Sequence, residues 1–206
     1  IDEVVLHDLD AARLAVIDAV VAELFADRAA APRVRCETDP RAAVEGADVV
    51  FSAIRVGGTQ GRVRDEQVAR DLGLLGQETI GPGGLAYALR TVPVVDELAR
   101  LIAEVAPQAW VVSFTNPAGL VTEAMRTHLG NRVVGICDTP IGLMRRAASA
   151  VGARQSPVSY DYVGLNHLGW LRSLEVDGVD RLPALLASPG LADIEEARLV
   201  GLDWVR

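Results

Sequence analysis

Short apolar runs alternate with stretches of helical spacing along this chain. Residues 4–6 read as a strand that ends at Asp8. From 10 to 27, Leu14, Ile17, Val20, Val21 and Leu24 fall on one side of a helix. A short strand over 34–38 follows. Asp39-Pro40 then opens a short helix to Val44, with Asp39 as cap and Pro40 at the first helical position. Residues 47–54 (ADVVFSAI) are a near-continuous apolar strand of the kind buried on both faces. A glycine-containing loop over 55–59 leads to charges at helical spacing over 62–72. Residues 73–84 are rich in glycine and polar residues and break at Gly81-Pro82-Gly83-Gly84.

The second half repeats the alternation. Residues 85–106 read as a helix bent at Pro93. Residues 109–115 (AWVVSFT) are a buried strand, and Asn116-Pro117 opens a helix to Leu129, Asn as cap and Pro at the first helical position. Residues 132–137 (RVVGIC) are a strand, and Thr139-Pro140 opens a helix to Val151. Residues 158–165 and 168–176 are strands joined by Asn166-His167. Strands alternating with helices predict an α/β fold with a mostly parallel sheet and right-handed crossovers. The last pair is joined too tightly for a parallel crossover and begins an antiparallel region.

Composition narrows the classes. Half of the 206 residues are hydrophobic and 23% are charged, so a packed core is expected rather than disorder. No run of about 18 apolar residues occurs, so no membrane span is read. The net charge of −8 argues against nucleic acid, which needs clustered basic residues. All 20 basic residues are Arg, so this chain offers no Schiff-base lysine. Two cysteines, Cys36 and Cys137, make no disulfide framework and suit a reducing compartment; Cys36 reads as core. The first residue is Ile and no signal peptide is read; the chain is expected to be a fragment cut at both ends.

In open α/β sheets ligands gather at the carboxyl ends of strands. There stand Asp8, Ile54-Arg55, Asn116, Cys137 and His167. Asp8 either accepts hydrogen bonds from ribose hydroxyls or simply turns the chain. Arg55 is either a ligand group or a solvated surface residue. Asn116 is either a cap or an amide held over the sheet. Cys137 is either a small buried hydrophobe or a metal ligand, and His167 either a structural histidine or its partner. Arg62, Arg64, Asp65 and Glu66 read as a solvated helix face or as a source of one phosphate-reaching arginine. His7 and His128 read as structural.

Several segments taken together resemble glycoside hydrolase family 4. They are IRVGGTQGRVRDEQV (54–68), GQETIGPGGLAYALRTVPVV (76–95), AWVVSFTNPAGLVTEA (109–124), GICDTP (135–140) and DYVGLNHLGW (161–170). The resemblance implies a Rossmann-like sheet of the lactate/malate dehydrogenase kind with the start of a second α/β domain. It divides the chain into a dinucleotide-binding domain, 1–156, lacking its first strand and glycine-rich loop, and the truncated beginning of a catalytic domain, 157–206. It implies cleavage of 6-phospho-β-glucosides through NAD-dependent oxidation at C3, metal-assisted deprotonation at C2, elimination and water addition. Such redox glycosidases are exceptions to the two-carboxylate scheme.

By the same resemblance Cys137 and His167 hold the metal, manganese or another divalent transition ion. Asn116 and Arg62 bind substrate, and Asp138 is the acid for the leaving group. Asp8, with Ile54 and Arg55 at the next strand end, is assigned to the dinucleotide. The C2 base is expected beyond Arg206; Tyr160 and Tyr162 are not that base. A cytoplasmic homo-oligomer acting on phosphorylated glucosides is implied, with no membrane or nucleic-acid partner. Cys137-Asp138-Thr139-Pro140 leans toward the α-glucosidase members, and the longer segments 88–94 and 114–119 toward the β members. A 2-hydroxy-acid dehydrogenase and a non-catalytic module that kept only the fold are the other readings.

Overall fold

Asp10 starts the first helix: its carboxylate accepts the N–H groups of Ala12 and Arg13. It separates β1 (Glu3–His7) from α1 (Ala11–Phe25). The computed structural model describes residues 1–154, 156–194 and 198. It continues with β2 (Arg33–Glu37), α2 (Pro40–Val44), β3 (Val49–Ser52), α3 (Gly58–Asp71), α4 (Gly81–Val105) and β4 (Trp110–Ser113). Then come α5 (Ala118–Leu129), β5 (Val133–Gly135), α6 (Asp138–Ala150), β6 (Val158–Leu165), β7 (Leu168–Val176), β8 (Val179–Asp180) and α7 (Leu182–Ala187). The part of the expected second domain at 195–197 and 199–206 lies outside the described residues.

The parallel pairing predicted from the alternation is present, but in two sheets. One is β1–β2, with Glu3 opposite Arg33; the other is β3–β4–β5, with Val49 opposite Trp110 and Val111 opposite Val133. β6, β7 and β8 form an antiparallel sheet with Val158 opposite Val176, and the two long strands have the bounds their alternation predicts.

Right-handed crossovers that advance in one direction put their helices on one side of a sheet. Val95, Ala99 and Ile102 of α4 and Val121, Met125 and Leu129 of α5 pack with Val111 and Val133 as the main core. The opposite face carries Val49, Phe51, Trp110, Phe114, Val134 and Ile136, all exposed among the described residues. Residues 47–54 are therefore not buried on both faces as expected: β3 alternates, with Ser52 inside and Phe51 61% exposed. The stripe on α1 is likewise mostly uncovered; Leu14 is buried, while Ile17, Val20 and Leu24 are exposed. Cys36 is exposed rather than core.

Three local readings change. Gly81-Pro82-Gly83-Gly84 is not a break but the first turn of α4, with Pro82 near its start. Gly83 and Gly84 are there for close approach: a Cβ at either would run into the carbonyl of Gln77 or of Thr79. Asn116 does not cap α5. Pro117 takes the cap position without a side-chain bond, and the Asn116–Pro117 peptide bond is cis. α6 opens at Asp138 with Cys137 as its cap, two residues earlier than a Thr139 cap with Pro140 at the first helical position suggests.

Asp65 is also not on a solvated face. It is 7% exposed and receives both ends of the Arg90 guanidinium, at 3.1 and 2.7 Å. Arg90 Nε donates to the Val56 carbonyl at 3.0 Å, so one side chain ties α3, α4 and the loop after β3. Gly57, at φ +83, lies so close that a Cβ there would sit 2.6 Å from Arg90 Nε. The buried Tyr87 ring stands between Arg90 and Arg55, whose guanidinium carbons are 5.6 and 5.7 Å from its centre. Removing one partner of a buried charged hydrogen bond leaves the other unsolvated. Asp65→Asn or Arg90→Ala is expected to lower unfolding stability by about 2–3 kcal/mol, read by urea denaturation. A loss too small to measure would mean that the loop does not depend on this pair.

Candidate active site

Glu78 sits in the segment just before α4, and its side chain is 12% exposed. Its Oε2 accepts Arg55 Nη1 at 2.9 Å and pairs with Arg62 Nη1 at 3.1 Å. Its Oε1 accepts Asn116 Nδ2 at 2.9 Å. Burial pushes the Glu78 pKa up, but the hydrogen bonds from Arg55 and Asn116, with the charges of Arg55 and Arg62, outweigh it and hold the carboxyl below its ordinary value. Arg55 is raised in turn, first by its bond to Glu78.

Three residues singled out from the sequence thus meet on a fourth that was not. Arg55 comes from the loop after β3, Arg62 from α3 and Asn116 from the end of β4. Arg62 is further held by Glu66 at 2.7 Å. The β3 and β4 ends are tied by Thr115, 1% exposed, whose Oγ1 accepts the Ile54 N–H at 3.1 Å. The Ile54 N–H is therefore committed within the fold, and its side chain packs on the core.

A second group forms between α6 and the β6–β7 hairpin. Cys137 Sγ lies 3.5 Å from His167 Nε2, and Asp138 Oδ1 lies 4.0 Å from the same sulfur. His167 occupies the hairpin tip at φ +58, a left-handed conformation that glycine, Asn, Asp and His adopt more readily than other residues. The 3.5 Å gap is one that metal bonds of about 2.0–2.3 Å to nitrogen and sulfur can span. Thiolate with imidazole suits a divalent transition metal. Among the described residues no group of three or more His, Cys, Asp and Glu side chains is gathered for a metal, so this pair leaves coordination positions open. Beside it a groove of about 390 Å3 is lined by Cys137, Tyr162 and Asn166, and Asn166 Oδ1 is buried there without a partner. The residues present fit such an ion.

Asp8 stands apart on the β1–β2 sheet. Its Oδ1 accepts the Asp10 N–H at 2.8 Å and Arg13 Nη2 at 2.9 Å. The Asp10 N–H, aided by Arg13 and opposed by burial, holds Asp8 below its ordinary pKa. A charged acceptor at a strand end fits ribose hydroxyls. His7 bonds the Glu37 carbonyl and His128 bonds Asp96, contacts that tie each ring to its own neighbourhood, away from both groups.

Residues 1–153 match the sequence profile of the family 4 glycosyl hydrolases. Over 142 residues the chain is 44% identical to a probable 6-phospho-beta-glucosidase of Bacillus subtilis (strain 168), covering 68% of this chain and 32% of that protein. A crystal structure of a 6-phospho-alpha-glucosidase from gut microorganisms, in complex with NAD and Mn2+, superposes with a TM-score of 0.84 at 34% identity, covering 91% of this chain and 44% of that one. Malate dehydrogenase from Plasmodium falciparum, with NADH, superposes at 0.63 with 11% identity over 90% of this chain and 54% of its own. That likeness shows the Rossmann-like α/β fold alone. The chain spans between 32% and 43% of the length of the curated relatives it matches. With most of its length matched by the family profile, the chain belongs to family 4 of the glycosyl hydrolases.

Proposed function

We propose that the chain is part of an enzyme that cleaves 6-phospho-β-glucosides with bound NAD and a divalent transition metal, Mn2+ foremost. The observation that carries this reading is the Cys137–His167 pair at 3.5 Å in a chain of this family. Cys137 and His167 hold the metal. Arg62 and Asn116 bind the phosphorylated glucoside. Asp8 and Arg55 face the dinucleotide, Ile54 anchors the strand end from which Arg55 comes, and Asp138 gives a proton to the leaving group. When bound, NAD supplies a two-electron acceptor for C3 of the sugar, and the metal a Lewis acid for its oxygen.

The chain's own contribution is preorganisation. Glu78 fixes Arg55, Arg62 and Asn116 before substrate arrives, so their ordering does not oppose binding. Asp138, at the start of α6, is carried by the same turn that presents Cys137, which keeps proton donor and metal ligand in register. Residues 1–156 are read as the dinucleotide-binding domain and 157–206 as the beginning of the catalytic one. A homo-oligomer in the cytoplasm, meeting phosphorylated glucosides, belongs to the same proposal. The α anomer is the second reading, favoured by Cys137-Asp138-Thr139-Pro140.

The test is hydrolysis of nitrophenyl 6-phospho-α- and 6-phospho-β-glucosides by the full-length protein that carries this chain, omitting NAD and Mn2+ in turn. Cleavage of the β compound that needs both is expected. Cleavage of the α compound alone moves the assignment to the other anomer, and cleavage independent of NAD overturns the redox mechanism. Glu78→Gln is expected to lower kcat/KM about 10- to 100-fold, mostly through KM, because Arg62 and Asn116 lose a charged anchor.

The same variant carries a pH signature. The folded pKa of Glu78 is lowered, so its bonds add stability above the unfolded carboxylate value, about 4.3, and lose it as pH falls through the folded value. Urea unfolding across that acid range is expected to show a shallower loss in Glu78→Gln than in the parent chain. Equal slopes would show that Glu78 is not strongly paired.

A further inference from the structure

Gln77 is held by its amide oxygen. Oε1 accepts the backbone N–H groups of Thr79 at 2.7 Å and Ile80 at 3.1 Å, the residues that lead into α4. Two backbone donors on one end of an amide decide which end is oxygen. The other end is therefore the NH2 group, and it lies 3.5 Å from His167 Nδ1. An NH2 group only donates, so the arrangement favours a lone pair on the ring nitrogen it faces. A neutral imidazole then carries its proton on Nε2, the nitrogen 3.5 Å from Cys137 Sγ. We propose that Gln77 sets the tautomer of His167, placing the ring proton on Nε2 against the Cys137 sulfur, so that a divalent ion can enter the pair only if the Gln77 amide moves.

The second half of this inference rests on Cys137 and His167 being the metal pair. A ligating histidine gives a lone pair to the ion and donates its other N–H to an acceptor. Ligation through Nε2 puts the ring proton on Nδ1, where it meets the Gln77 NH2 group, donor against donor. Relief requires the amide to turn its oxygen toward the ring and give up the Thr79 and Ile80 N–H groups. Those bonds start the segment that enters α4, and Glu78 is the next residue along. Gln77 is thus a positioning residue: it touches neither substrate nor ion, and it makes metal entry depend on a rearrangement beside the Glu78 cluster.

The first measurement uses the full-length protein that carries this chain, stripped of metal by a chelator. Long-range proton–nitrogen NMR on 15N-histidine protein reads the tautomer, with His167→Gln identifying the signal. The proton on Nε2 is expected; a proton on Nδ1 overturns the assignment, and needs no variant to do so. The second uses Gln77→Glu, whose carboxylate can accept the backbone donors and an Nδ1–H together. The tautomer is expected to switch and Co2+ to bind about tenfold tighter, read by the sulfur-to-cobalt charge-transfer band. Unchanged or weaker Co2+ binding overturns the linkage to metal entry. If the parent chain shows the expected tautomer but no charge-transfer band, the metal reading of the pair fails while the Gln77 assignment stands. If cobalt binds and the proton is on Nδ1, the reverse holds.

Discussion

A carboxylate taken out of water must be met by donors, and Glu78 is met from three directions. Its position is itself imposed. Residues 77–79 lie against the first turn of α4 because Gly83 and Gly84 leave no side chain in the way. From that fixed point the loop after β3, helix α3 and the end of β4 are all constrained, since each supplies one of the three partners. Arg90 braces the same region from the other side through Asp65 and the Val56 carbonyl. The site is therefore built less by its strands than by one acid and one base that bind loops to helices.

How far this could be read in advance follows from the range of each interaction. The β6–β7 hairpin came through with its bounds because alternation and a two-residue connection are local signals. The carboxyl ends of strands pointed to Arg55, Asn116, Cys137 and His167, because topology alone puts those ends together. Glu78 was invisible for the opposite reason. Its partners lie 23 and 38 residues away in Arg55 and Asn116, and an acid in a glycine-rich loop has no period. Asp65 was hidden among charges whose average is a wet helix face. Gly81-Pro82-Gly83-Gly84 misled because glycine and proline usually punctuate, whereas here they begin a helix and let the chain close on it. Asn116 stood between a cap and an amide held over the sheet, and the structure gives its amide to Glu78 while Pro117 takes the cap position.

The two groups of the site come from different architectural stock. Arg55 and Asn116 ride on the ends of parallel strands and Arg62 on α3, while His167 rides on an antiparallel hairpin tip. Gln77 and Glu78 join them: neighbouring side chains of one segment, one facing His167 and the other the Arg55–Arg62–Asn116 cluster. Because they share a peptide unit, a displacement of either is a displacement of both within a few ångströms of chain.

The uncovered side of β3–β4–β5 has a colloidal consequence. Phe51 and Phe114, with ring centres 6.3 Å apart, belong to a continuous apolar face on this chain. Two copies meeting by such faces gain burial, and what opposes the encounter is repulsion from a net charge of −8. That repulsion reaches only about 8 Å at physiological ionic strength. Salt therefore acts on this polypeptide in two opposite senses, weakening the surface ion pairs that brace single molecules while drawing separate molecules together.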